Sequence, residues 1–315
     1  NVGAALIVSL GCEGTDVDRV IKEITKTGKP VEVIRIQEGG GITRSIAAGI
    51  AKAQYLAAKI STHRREKVDI SNAVMSIKCG GSDATSGMAS NCVIGYVADK
   101  LIDAGGTVIF GETTEFIGAE HILARRAITP AVGDKIYEIV ANMEKRAKSL
   151  GCDMRKGQPT PGNIAGGLST IEEKSLGAIM KSGSKPIQGV LEYTEMINDK
   201  KGLWIKDTPG REPEILTGMA CTGAQVMLFS TGRGAPQGYP TMPVIKICGN
   251  NNTFARMDQD MDINAGVIIS GESTIEKVGE ETFDKFIRVL SGEMTKSEAI
   301  KYYNFIDIYM MGPVI

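Results

Sequence analysis

A parallel α/β architecture, with a small first lobe and a larger second one, is predicted by three features of the chain. Short apolar runs alternate with stretches of helical periodicity from residue 4 onward. Several apolar runs end in Gly-rich polar loops, and a charged stretch at residues 61–71 (STHRREKVDIS) interrupts the pattern once. Strand–helix alternation is the signature of a parallel sheet with helical crossovers, and the charged stretch reads as the link between lobes.

The elements follow in order. Residues 4–10 and 31–36 read as strands, and residues 42–59 as a helix with a broad apolar face. Val17, Val20, Ile21 and Ile24 mark the helix between the two strands. Beyond the link, residues 73–77 are a strand, 88–104 a helix and 107–110 a strand. Residues 118–126 and 130–150 read as helices, with Pro130 suited to a first turn. Residues 152–167 read as a loop, 171–181 as a helix, and 187–191, 203–206, 226–229 and 244–248 as strands. A Gly/Pro loop fills 231–243, and helices are predicted at 274–294 and 296–306. The lobes are accordingly expected at residues 1–65 and 70–315.

The bulk properties exclude several classes. Of 315 residues, 42% are apolar and 23% charged, which is ordinary for a globular protein. The net charge of −1 and the 5% aromatic content offer neither the basic surface nor the stacking platforms of a nucleic-acid binder. No apolar run is long enough for a membrane span, and no secretory signal is visible. Six dispersed cysteines without a CxxC pair fit a reducing compartment, so a cytoplasmic location is expected. The opening residue, Asn1, leads straight into an apolar run, and an N-terminal segment is expected to be missing.

The chemistry is expected at strand ends. SLGCEGTD, IKCGGSDATSG, IFGETTE and LFSTGRG each place a polar loop after an apolar strand. In parallel sheets, ligands sit beyond the carboxyl ends of strands. These loops would offer Cys12 and Glu13, Cys79 and Asp83, Glu112 and Glu115, and Arg233 to one crevice. No phosphate-cradling motif occurs. Of the two histidines, His63 reads as a solvated linker residue; His121 (GAEHIL) suits metal ligation or proton transfer, against a half-buried structural role. For Cys12 and Cys79, metal ligation competes with a role in the turn or in packing. The helix starting near Ser169 explains Glu172 and Glu173 as capping residues, but it explains Asn163 and Lys174 less well. Asp262 and Asn264 (DMDINAG) read equally as a turn or a ligand-facing pair.

Taken in order, GCEG, CGGSDATSG, GETTEFIGAEHIL, PTPGNIAGGLSTIEEKSLGAI, FSTGRG and DMDINAG resemble the altronate/galactarate dehydratase family from Val2 to the C-terminus. The resemblance implies a metal-dependent hydro-lyase that converts an aldonic or aldaric acid to a 2-keto-3-deoxy acid. It implies Fe2+, or another divalent metal such as Mn2+, and a Rossmann-like lobe followed by a larger α/β C-terminal domain. It also implies a small SAF-type domain, supplied in some members by a separate subunit. A related branch releases sulfite from 3-sulfolactate. SNCVIGY, at Cys92, departs from the proline expected in dehydratases and leaves the substrate open between the branches. A rival of another class is a non-catalytic sugar-acid-binding subunit.

The expected site is then a metal and acid–base cluster. Cys79, Cys12, Glu115 and His121 are its candidate ligands. His121, Glu112, Lys174 and Asp83 are its candidate catalytic groups, with His121 the first choice for base and Lys174 the reserve. Arg233 and Asn163 would hold substrate, and Gly80 and Gly81 would bring backbone amides to its oxyanions.

Overall fold

In a computed structural model that describes residues 1–303 and 306–310, the chain forms two compact units, Asn1–Lys67 and Val68–Ile315. The first unit holds β1 (Ala5–Ser9), α1 (Val17–Lys26), β2 (Val31–Arg35) and α2 (Ile42–Ile60). Its two strands pair in parallel, Ala5 opposite Val31 through Ser9 opposite Arg35. Asp16 caps α1 by accepting the Arg19 amide. Gly41, at φ +92°, turns the chain into α2. Ile34 and Leu56 are buried here, whereas Ile42, Ile46 and Ile50 leave an exposed apolar stripe on α2.

The second unit runs through β3 (Val74–Cys79), α3 (Asn91–Asp103), β4 (Thr107–Phe110), α4 (Glu120–Ala124), α5 (Pro130–Ser149), α6 (Met154–Gly157), α7 (Pro161–Ala165) and α8 (Ile171–Ile179). It continues with β5 (Ile187–Leu191), β6 (Gly202–Lys206), α9 (Glu212–Thr222), β7 (Val226–Thr231), β8 (Val244–Cys248), α10 (Asn251–Arg256), β9 (Ile263–Asn264), α11 (Ile275–Leu290) and α12 (Lys296–Ala299). The strands form one parallel sheet in the order β5-β6-β4-β3-β7-β8-β9. The fold is α/β, as the strand–helix alternation predicts.

The alternation of strand side chains separates two cores. Met75, Ile77, Val108, Phe110, Val226 and Leu228 pack with Val93, Ile94 and Leu101 of α3 and with Val278 and Phe286 of α11. Ile109, Met227, Phe229 and Val244 pack with Ile215, Leu216 and Met219 of α9. Covered on both faces, the central strands are buried almost end to end, as parallel strands require. Among the described residues no helix is long and apolar enough to cross a membrane.

Several expectations change. The helix expected at 88–104 begins at Asn91, after a wider-wound π turn over Ser86–Ser90. The predicted loop at 152–167 contains α6 and α7, capped by Asp153 and Thr160, with Pro161 in a first turn. The helix expected at 118–126 is the short α4 alone. Helices α9 and α10 and strand β9 lie outside the elements that periodicity predicts. The helix expected at 296–306 is only α12, and residues 304 and 305 lie outside the described residues.

Behind β3, α3 approaches the turn Met180–Ser182 so closely that a Cβ at Gly95 would lie 2.3 Å from the Met180 carbonyl oxygen. Helix propensity favours alanine over glycine by about 1 kcal/mol, but a backbone clash outweighs it. Gly95→Ala is expected to lose about 1–3 kcal/mol of stability in urea unfolding, as overpacked cores do.

Candidate active site

The carboxyl ends of β3 and β4 carry the chemistry. Cys79 is the last residue of β3, and Lys78 precedes it. Pleat alternation sends Lys78 toward the α9 side, where its Nζ lies 5.0 Å from the Phe229 ring centroid. Cys79 points the other way, toward the Met180–Ser182 turn and Lys181. The β4 loop then supplies Glu112 and Glu115. Glu112 sits in the left-handed region (φ 70°), a conformation that costs a non-glycine residue about 1 kcal/mol or more. Thr208 holds it there: its Oγ1 accepts the Glu112 amide at 2.8 Å, and its carbonyl accepts the Thr113 amide at 3.0 Å.

These groups form one buried ion cluster. The Lys181 Nζ is 2.9 Å from Glu112 Oε2, 3.2 Å from Glu115 Oε2 and 3.0 Å from Cys79 Sγ. The Lys78 Nζ is 3.0 Å from Glu112 Oε1 and 3.6 Å from Glu212 Oε1, and it donates to the Cys79 carbonyl at 2.6 Å. Glu112 Oε2 also accepts the Cys79 amide at 2.8 Å, and the Cys79 thiol donates to Glu115 Oε2 at 2.6 Å. Lys174 approaches Glu115 Oε1 at 3.4 Å and donates to Gln158 at 3.0 Å.

Burial and neighbours set the charges. Burial alone would push both inner ammonium groups down. Glu112 and Glu212 outweigh it at Lys78, and Glu112 and Glu115 outweigh it at Lys181, so both stay above the ordinary lysine range. Burial pushes the Cys79 thiol well up, and Glu112 and Glu115 push it further, so it is a neutral donor. Burial would raise Glu115, but Lys181 and Lys174 prevail and bring it down to about 2. A cavity of about 480 Å³ opens onto this cluster. Lys78, Cys79, Gly80, Gly81, Glu115, Asn163, Lys174 and Glu212 are among its lining residues. A Cβ at Gly80 would lie 2.5 Å from Glu212 Oε1 and 2.8 Å from the Phe229 ring, so a side chain there would have to displace both.

The expected residues divide. The structure brings Cys79, Glu112, Glu115 and Lys174 into the cluster, and it places Gly80, Gly81 and Asn163 on the cavity wall. Asn163 also serves as a cap: its Oδ1 accepts from Thr160, and its Nδ2 donates to the Ser82 carbonyl at 2.8 Å. The Asp83 carboxylate is occupied by Thr85, Ser86 and Asn250, and it fixes the turn before α3. Asp83 and Arg233 line a second cavity of about 330 Å³, with Arg256. His121 is exposed on α4, because burial of Ala119 and Leu123 leaves the intervening turn facing solvent; it is not brought to the cluster. Cys12 lies in the first unit, exposed, and accepts from the Gln37 amide at 3.2 Å. Asp262 is turned into the sheet end, where it accepts the Lys246 and Lys296 amides.

Sequence reasoning passed over Lys78, Lys181 and Glu212. The signal for the first was present. VMSIKC places a lysine in an otherwise apolar central strand, and a lysine is buried there only if it is paired. VIKIC repeats the pattern with Lys246, which is also fully buried. The Lys246 Nζ has no hydrogen-bond partner and lies 3.5 Å from the Phe229 ring centroid. Burial, and then Lys78, push it well below the ordinary lysine range.

Cys79, Glu112 and Glu115 are also the group among the described residues whose donor atoms, all within 4.8 Å of one another, could hold a metal ion. One thiol and two carboxylates suit a divalent transition metal. The Lys181 ammonium stands among the same three atoms, so the set fits a metal only when that ammonium withdraws.

A parallel sheet with acid, thiol and lysine groups gathered at its carboxyl ends defines an α/β protein with an enzyme-type site. Residues 70–312 match the family described as D-galactarate/altronate dehydratase, C-terminal. Residues 1–61 match the D-galactarate dehydratase/altronate hydrolase second domain. The chain is 35% identical over 310 residues to the (2R)-sulfolactate sulfo-lyase subunit beta of Chromohalobacter salexigens, covering 97% of this chain and 79% of that protein. It is 32% identical to an altronate dehydratase of Bacillus subtilis, covering 95% and 59%. It is 33% identical to the galactarate dehydratase (L-threo-forming) of Escherichia coli, covering 99% and 61%. The chain belongs to the D-galactarate/altronate dehydratase family, a family of sugar-acid dehydratases, and it spans about three-fifths of the length of those two dehydratases.

Two outcomes follow from the charges. Glu115 is held below its ordinary 4.5, so its ionised form stabilises the fold fully above pH 4.5, and that contribution is lost as the pH falls toward about 2. In Glu115→Gln, the acid side of a stability-against-pH profile measured on metal-free protein is expected to flatten across that window. Lys246→Met removes an unsatisfied buried amine. Urea unfolding is expected to show stability unchanged or raised, by up to about 2 kcal/mol.

Proposed function

We propose that this chain is the catalytic part of a hydro-lyase that removes water from a sugar acid of the altronate or galactarate type by β-elimination, giving a 2-keto-3-deoxy acid. The observation that carries the reading is the buried Lys78–Glu112–Lys181–Glu115–Cys79 cluster at the floor of a polar cavity, in a chain of this family. The difficult step is removal of the proton α to a carboxylate, because the resulting enediolate carries two negative charges. Lys78 is a buried positive charge beside the cavity, and Lys181, or the metal that would replace it, is a second. Such preorganised charge is worth most where charge develops in the transition state.

Lys174 is the proposed acid–base group. Its amine borders the cavity beside Glu115. In neutral form it takes the proton from C2, the C3–O bond breaks, and the same proton leaves with the departing hydroxide as water. The enol formed between C2 and C3 then tautomerises to the keto acid. Cys79, Glu112 and Glu115 would hold Fe2+ or Mn2+, which when bound supplies Lewis-acid polarisation of the substrate carboxylate. Six cysteines free of disulfides suit the reducing, cytoplasmic setting that ferrous iron needs. Arg233 and Arg256, which line the second cavity, would meet the anionic far end of a longer acid.

A second reading is elimination of sulfite from 3-sulfolactate, which needs the same α-proton abstraction. A relative described as a (2R)-sulfolactate sulfo-lyase subunit, 35% identical over 97% of this chain, supports it. That relative's description as a subunit also supports a small SAF-type partner for this chain. Assay of the chain with that partner, on altronate, galactarate and 3-sulfolactate with Fe2+ under reducing conditions, is expected to show turnover of one of them. Lys174→Gln should lower kcat by about 10²–10⁴-fold, as loss of a general acid–base does, and His121→Ala should leave it unchanged. Binding of a sugar acid without conversion would instead favour a non-catalytic binding subunit.

A further inference from the structure

We propose that Lys181 and a divalent cation are alternative occupants of one position, so that Lys181 is a built-in competitor which the metal must displace. This rests on the metal-assisted reading above. The three donor atoms of Cys79, Glu112 and Glu115 lie within 4.8 Å of one another. An ammonium has three N–H donors, and at Lys181 they meet those three acceptors at 3.0, 2.9 and 3.2 Å. A divalent ion bound to the same atoms, at the ~2.0–2.3 Å typical of thiolate and carboxylate ligands, would occupy the centre where the Lys181 nitrogen stands. The two cannot be there together.

The fold supplies both a reason for the lysine and a way out for it. With Lys181 gone and no metal present, the two inner carboxylates would retain Lys78 and Lys174 but lose the cation they share. A buried cluster in that state is strongly unstable. The lysine therefore lets the apo site fold dry. Phe110 lies 5.5 Å from the Nζ and offers a displaced ammonium an aromatic face.

The test uses Mn2+ as probe, its free-ion electron paramagnetic resonance signal being lost on binding. Wild type, Lys181→Met and Lys181→Arg are compared in the full chain, with thermal unfolding alongside. Lys181→Met is expected to bind Mn2+ at least tenfold more tightly than wild type and to gain more in Tm from it. Lys181→Arg should bind no better than wild type. In the wild type, acetylation of Lys181 followed by peptide mass spectrometry should rise when Mn2+ is added. Equal or weaker binding by Lys181→Met, or acetylation unaffected by bound Mn2+, overturns the competition and leaves the metal reading standing. Failure of every variant to take up Mn2+ overturns both.

Discussion

The second unit depends on a charge balance struck in a place without water. Lys78 and Lys181 share Glu112 between them, and Glu115 is shared between Lys181 and Lys174. Each ion alone would be too costly to bury, and removing one partner from such a cluster typically destabilises by about 3–5 kcal/mol. The groups come from β3, the β4 loop, α8 and the turn after it, so the balance is met only when these segments are in place together. The site is thus a condition of folding as much as a product of it. This agrees with the unfavourable backbone at Glu112, which Thr208 and the two lysines hold in position.

Glycine is the other half of that arrangement. Ions can meet at the sheet end only if backbones come close. Gly95 lets α3 press against the turn that carries Lys181, and Gly80 leaves room for Glu212 and the Phe229 ring. Gly232 packs so tightly on the Asp83 carboxylate that any Cβ would overlap it, which ties the β7 loop to the turn before α3. Gly80, Gly95 and Gly232 thus mark close packing around a charged centre.

How much was legible follows from what each residue's partners are. The strands, and the groups at their tips, could be read because apolar runs and strand-end loops are local patterns: Cys79, Glu112 and Glu115 were found that way. Lys181 could not be, because its partners lie 102, 69 and 66 positions away and nothing beside it in MKSG announces burial. His121 and Asp83 stand in the same kinds of motif as the true cluster members. What separates them is helix register for the first and a capping role for the second, and both appear only once the neighbours are placed. The short helices α6 and α7 were hidden for a related reason. Gly and Pro read as loop, yet Thr160, Pro161 and Asn163 together form a capped first turn.

Lys246 shows how two buried lysines on one face of the sheet are kept electrically distinct. It lies on the α9 side with Lys78, both near Phe229, but only Lys78 has carboxylates within reach. Two ammonium ions around one ring, with acids for one, would raise the energy of the fold. Burial, and then Lys78, therefore push the unpaired amine well below the ordinary lysine range. Positive charge is concentrated in this way where β3 meets the cavity. The lowered proton affinity of Lys246 thus bears on the cavity's potential, although the residue does not line the cavity.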